Sequence, residues 1–176
     1  MVKLRGAPTQ DEVMAVALLK LRLKAGDIFA DIGCGSGKVS IAASSQAGRV
    51  FAVDRHPEAI LQATEGARRC GIKNITFVEA EALDFLRQSD SLDAAFVGGS
   101  KNLPEVLHVL AGKTRGRIVV NAVLLRTLHG AISVMKEIGI FREALQIQIS
   151  RSQEIGGDLM FRPIDPIFMI VGEGRC

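Results

Sequence analysis

The sequence predicts an α/β fold, a mostly parallel sheet with helices on both faces and an antiparallel hairpin at its C-terminal end. Three observations predict it. Strand-like and helix-like segments alternate along most of the 176 residues, the pattern of a doubly wound parallel sheet. The runs Ala94-Ala95-Phe96-Val97 and Ile118-Val119-Val120 are apolar throughout, as strands covered on both sides must be. Ala144-Leu145-Gln146-Ile147-Gln148-Ile149-Ser150 instead alternates strictly, which marks a strand with one wetter face.

Taken in order, Thr9-Gln10-Asp11-Glu12 reads as a capping box opening a helix with apolar Val13, Val16, Ala17, Leu19 and Leu23. A strand over about 27–32 is followed by a helix to about Gln46, and Val50-Phe51-Ala52-Val53-Asp54 is the second strand. Pro57 suits the first turn of a helix that runs to Cys70 and stops at Gly71. The third strand is Ile75-Thr76-Phe77-Val78, with a short helix over 82–88. The fourth strand covers 92–97 and breaks at Gly98-Gly99, before a helix over 104–110. The fifth covers 117–123, before a helix over 126–138. Residues 151–165 are too short and polar for a helical crossover. They read as a loop, either substrate-facing or an exposed tip, between two antiparallel strands, the second being Pro166-Ile167-Phe168-Met169-Ile170-Val171. No linker or repeat interrupts the chain, so residues 1–176 are expected to form one domain.

Composition narrows the function. Apolar content of 48% and charged content of 23% suit a globular protein, and no apolar run approaches the roughly 20 residues that span a bilayer. The apolar positions near the N-terminus are interrupted by Lys20 and Arg22, so no signal peptide is indicated and a cytoplasmic location is expected. Cys34, Cys70 and Cys176 have neither disulfide-framework nor zinc spacing, so no metal site is expected. A net charge of +3 does not require nucleic acid, suits an acidic small substrate, and comes with no Trp or Tyr to stack on bases.

The most informative segment is Asp31-Ile32-Gly33-Cys34-Gly35-Ser36-Gly37, lying between a strand and a helix, with Asp54 ending the next strand. Such a loop turns backbone N–H groups toward an anionic or carboxylate-bearing ligand. In a dinucleotide fingerprint the third glycine would stand one place later, where Lys38 is found. A P-loop would need glycine at Ile32 and Ser or Thr at Val39. What remains, acidic-x-Gly-x-Gly-x-Gly, is the pattern of S-adenosylmethionine loops. Gly33, Gly35 and Gly37 would let the backbone approach the cofactor, Cys34 and Ser36 would offer N–H groups, and Asp54 would hold the ribose hydroxyls. Gly98, Gly99 and Ser100 follow the fourth strand, where ligands of parallel sheets sit, and are the expected floor of the transfer site. Ser100 reads equally well as a helix cap. Lys101, Arg126 and Arg151 follow the fourth, fifth and sixth strands and are candidates for substrate carboxylates. His56 and His129 have no assigned chemistry, and His108 is expected to pack.

More of the chain resembles one family. The segments Gly6-Ala7-Pro8-Thr9, Asp31 to Gly37, Val53-Asp54-Arg55-His56-Pro57-Glu58-Ala59-Ile60, Phe96-Val97-Gly98-Gly99-Ser100 and Asn121-Ala122-Val123-Leu124-Leu125 are similar to those of the decarboxylating precorrin methyltransferases of cobalamin biosynthesis. The resemblance implies a Rossmann-like class I methyltransferase fold, S-adenosylmethionine as cofactor and a homotetramer. It implies methylation of carbon 15 of a cobalt-precorrin, a tetrapyrrole, with loss of carbon dioxide from the acetate chain on carbon 12. The unit stands alone here, not fused to a carbon-5 methylating half, which implies the cobalt-early pathway. The resemblance also gives Thr9 a contact to the cofactor's carboxyl end and Ala82 a backbone N–H to adenine. Departures are Ala80-Glu81-Ala82 in place of Gly-Asp-Ala, Lys101-Asn102 in place of a glycine-rich continuation, and Thr114-Arg115-Gly116-Arg117 before the fifth strand. The rival readings are an enzyme like the tRNA adenosine methyltransferases, which generally carry an N-terminal RNA-binding domain for which there is no room here, and a non-catalytic cofactor-binding subunit.

Overall fold

The computed structural model describes residues 9–99 and 101–176. Its elements are α1 (Asp11–Leu21), β1 (Ile28–Ile32), α2 (Lys38–Ala43), β2 (Arg49–Asp54), α3 (Pro57–Arg69), β3 (Ile75–Glu79), α4 (Ala82–Gln88), β4 (Ala94–Val97), α5 (Leu103–Lys113), β5 (Arg117–Ala122), α6 (Leu125–Glu137), β6 (Phe141–Ile147), β7 (Ser150–Ile155), β8 (Asp158–Pro163) and β9 (Ile167–Glu173). Seven strands form one sheet in the order β3-β2-β1-β4-β5-β9-β6. β1 to β5 run parallel, and β9 lies antiparallel between β5 and β6.

The apolar strands divide their side chains between two cores, because successive residues of a strand point to opposite faces. Phe29, Phe96 and Val119 join Val13, Ala17 and Leu21 of α1 on one face. Ala30, Ile118 and Val120 join Leu107 of α5 and Met135 of α6 on the other. The strand order reverses between β1 and β4, and it is there, outside the carboxyl ends, that ligands of such sheets bind. Among the described residues no helix is long and apolar enough to cross a membrane.

The expected helices and strands are present, with five corrections. The stretch read as a loop over 151–165 is an antiparallel ribbon, β7–β8, turning at Gly156-Gly157. Every residue of both strands is exposed, so neither has a buried face to impose an alternating pattern on the sequence. The capping box does not form: Gln10 takes the N-cap position of α1 with no side-chain cap bond, and Leu19 is exposed. α2 ends at Ala43, not near Gln46. β6 starts earlier than the alternation suggests, because a bulge between Phe141 and Glu143 shifts its phase. His108 is exposed, with Nδ1 2.8 Å from the Pro104 carbonyl.

Candidate active site

The glycine loop leaves β1 and is pinned at once to the end of β2. Gly33 N and Cys34 N both donate to the Val53 carbonyl, at 2.8 and 3.0 Å, and Gly37 N donates to the Cys34 carbonyl at 2.9 Å. This tight path needs φ of +76° at Gly33, +55° at Gly35 and +74° at Gly37, a region that residues with a side chain rarely enter. The three glycines then differ. A Cβ on Gly37 would lie 2.6 Å from Ala63 Cβ of α3, and one on Gly33 would lie 3.0 Å from Gly99 N. A Cβ on Gly35 would meet nothing within 4 Å. Two of the glycines thus serve the chain's own packing, and among the described residues Gly35 alone of the three faces open space.

Asp54 closes the other side of the loop. Its Oδ2 accepts a hydrogen bond from Gly35 N at 3.0 Å, and its Oδ1 accepts one from His56 N at 3.0 Å, with His56 Nδ1 at the same distance. The carboxylate is therefore held in place with lone pairs still free for further donors. Cys34 does not match its expected role, since its N–H is spent on Val53. Burial, with Asp31 and Asp54 nearby, pushes its thiol up, so it stays protonated and is no nucleophile. Ser36 N and Ala82 N have no protein acceptor among the described residues.

Asp31 was read only as the first letter of the loop pattern. It is fully buried; Ser40 Oγ donates to its Oδ2 at 2.5 Å, while Oδ1 has no partner among the described residues. Burial raises its pKa to about 7, against the opposing bond from Ser40 and with help from the charge of Asp54. The signal was available: an aspartate inside an apolar strand, where an unpaired charge is costly.

Across the switch point, Gly98 N donates to the Ile32 carbonyl at 2.9 Å, and a Cβ there would lie 3.1 Å from the Gly33 carbonyl. The two glycine segments pack backbone to backbone. Ser100 and the Gly6-Ala7-Pro8 opening lie outside the described residues. Lys101 Nζ sits 2.6 Å from Glu81 Oε1, and Arg55 approaches the same oxygen at 3.6 Å. This pair bridges the loops that follow β3 and β4 beside a cavity of about 230 Å³ lined by Ala82, Lys101 and Asn102. Lys101 and Arg55 hold the Glu81 carboxyl below the usual carboxylate range. Arg151 pairs with Glu12 at 2.7 Å, Lys38 pairs with Asp11 at 2.6 Å, and Arg126 is exposed at the start of α6. Thr9 is half-buried just before α1. The structure thus gathers Gly35, Asp54, Ala82, Gly98 and Gly99 at the carboxyl edge of the sheet.

A mostly parallel, doubly wound sheet with this loop and this acid at its switch point is the Rossmann-like fold of the class I methyltransferases. Within that class the chain belongs to the family described as the precorrin methyltransferase domain, whose model matches residues 3–172. It is 42% identical over 180 residues to a Methanosarcina acetivorans protein named "probable cobalt-precorrin-6B C(15)-methyltransferase (decarboxylating)", covering 99% of this chain and 98% of that one. The solved precorrin 8W decarboxylase of Methanobacterium thermoautotrophicum superposes with a TM-score of 0.91 at 30% identity, covering 95% of this chain and 92% of that one. The precorrin-6y C5,15-methyltransferase of Geobacter metallireducens gives 0.90 at 31%, covering 98% and 94%.

Proposed function

We propose that the chain is an S-adenosylmethionine-dependent C-methyltransferase that methylates carbon 15 of a cobalt-precorrin, with decarboxylation of the carbon-12 acetate chain. The observation that carries this reading is the 42% identity, over nearly the whole of both chains, to a relative whose name describes that reaction. The site's geometry fits it. Gly35 opens a side of the loop that any Cβ would fill, the buried Asp31 has a carboxylate oxygen without a partner among the described residues, and Asp54 is already held in place.

In this reading Asp54 takes the two ribose hydroxyls, and the Ala82 N–H meets adenine. The Ser36 N–H, Gly35 and Thr9 hold the methionine end. S-adenosylmethionine, when bound, supplies a methyl group on a sulfonium that leaves as a neutral thioether. The protein's task is then chiefly alignment. Gly98 and Gly99 offer a floor without side chains on which the acceptor carbon can approach, and Ser100 completes it. Lys101, Arg126 and Arg151 are the candidates for substrate carboxylates, the first and third after exchanging their partners Glu81 and Glu12. An electron-rich carbon nucleophile needs little deprotonation, so no general base is assigned.

We also place the protein in the cytoplasm, as one catalytic domain within a homotetramer. The β7–β8 ribbon supports an assembly. Isolated two-stranded hairpins are marginal in water. This one leaves Leu159 69% and Phe161 70% exposed, surface that other copies would cover. The test of the function is incubation with cobalt-precorrin-6B and methyl-labelled S-adenosylmethionine. A labelled product that has also lost carbon dioxide is expected; no product, or label in tRNA instead, would overturn the reading.

A further inference from the structure

Where β5 runs into α6, three consecutive large apolar residues stand exposed: Val123 is 58%, Leu124 56% and Leu125 69% exposed. Single exposed leucines are ordinary, but a contiguous apolar patch marks a contact surface. Two further facts set this one apart. Leu124 occupies the N-cap position of α6 with no side-chain cap bond, although Ser, Thr, Asp or Asn there would stabilise the helix. The chain gives up that stabilisation to place an apolar group at the helix entrance. The patch also lies beside the transfer site. β4 and β5 are parallel neighbours paired up to Val97 and Val120, so the segments that leave them, Gly98-Gly99 and Val123 to Leu125, emerge at the same carboxyl edge of the sheet.

The charges fit an acidic ligand. The first turn of α6 has no acidic residue, and Arg126 is exposed there without an ion pair among the described residues. A ligand with a flat apolar face and carboxylates at its rim would match both features. Resting on the reading given under Proposed function, we infer that Val123, Leu124 and Leu125 are the shelf against which the face of the tetrapyrrole lies, with Arg126 at its edge binding a rim carboxylate.

The experiment compares wild type with a Leu124→Ser, Leu125→Ser double variant and a Leu124→Met, Leu125→Met double variant. It measures methyl transfer to cobalt-precorrin-6B, S-adenosylhomocysteine affinity by calorimetry and mass in solution by light scattering. The Ser variant should raise KM about tenfold or more, the change expected from losing partial burial of two leucines, with kcat within about twofold. Its S-adenosylhomocysteine affinity and mass should stay at the wild-type values, and the Met variant should keep the wild-type KM. An unchanged KM in the Ser variant overturns the shelf alone. A fall in mass overturns it in favour of an interface between copies. No product from wild type overturns the functional reading, and the shelf with it.

Discussion

The Gly35 amide donates to Asp54 Oδ2 over 3.0 Å, which makes the glycine loop and the acid ending β2 a single unit. Ligand binding therefore does not have to organise the loop. Removing the carboxylate frees Gly35 and the His56 amide at once. Asp54→Ala should weaken S-adenosylhomocysteine binding by about a hundredfold in calorimetry, the scale of losing two hydrogen bonds to a charged group. Wild-type affinity in the variant would remove Asp54 from the site.

Gly35 and Gly37 should separate binding from stability. Gly37→Ala puts a methyl 2.6 Å from Ala63 Cβ at φ +74°. It should cost about 2–4 kcal/mol in urea unfolding. Gly35→Ala meets no neighbour and bears only the backbone strain, about 1–2 kcal/mol, yet it should abolish measurable cofactor binding. Equal stability losses in the two variants would contradict the division of roles.

Asp31 makes stability depend on pH. Its folded pKa of about 7 lies above the ordinary 3.8, so the folded state binds the proton more tightly than the unfolded state. The contribution is intact below about pH 4, falls as pH rises toward 7 and is flat beyond, up to about 4 kcal/mol in all. Asp31→Asn carries no such charge. Its stability relative to wild type should therefore rise between pH 4 and 7 in parallel urea titrations, and a pH-independent difference would refute the assignment.

The β7–β8 ribbon should hold the assembly. Leu159→Ser with Phe161→Ser changes exposed side chains only, so the fold should survive and far-ultraviolet circular dichroism should stay the same. Light scattering should show a smaller particle than wild type. A wild-type mass would assign the ribbon another task.

The alternation of strands and helices was legible because buried parallel strands are apolar on both faces and because Pro57 and Gly71 mark both ends of α3. The loop and Asp54 were legible because backbone geometry forces glycine where φ is positive, and few patterns place an acid after it. What escaped lacked a periodic imprint. The exposed ribbon has no buried face, and the bulge at Phe141 breaks the alternation of β6. The division of labour among Gly33, Gly35 and Gly37 depends on Ala63 and Gly99, which only folding brings near. The engagement of Lys101 by Glu81 likewise joins residues from different loops.

The position of β9 bears on how the protein is made. Its residues, Ile167–Glu173, follow every other described strand in the chain, yet they fill an interior place between β5 and β6. The cofactor half, β1 to β3 with their helices, can form on the nascent chain. β5 must wait with an unpaired edge, and β6 with no neighbour, until β9 has been made. The interval leaves an adhesive strand edge open to other chains. The speed at which the segment from β6 to β9 is translated thus becomes a determinant of yield.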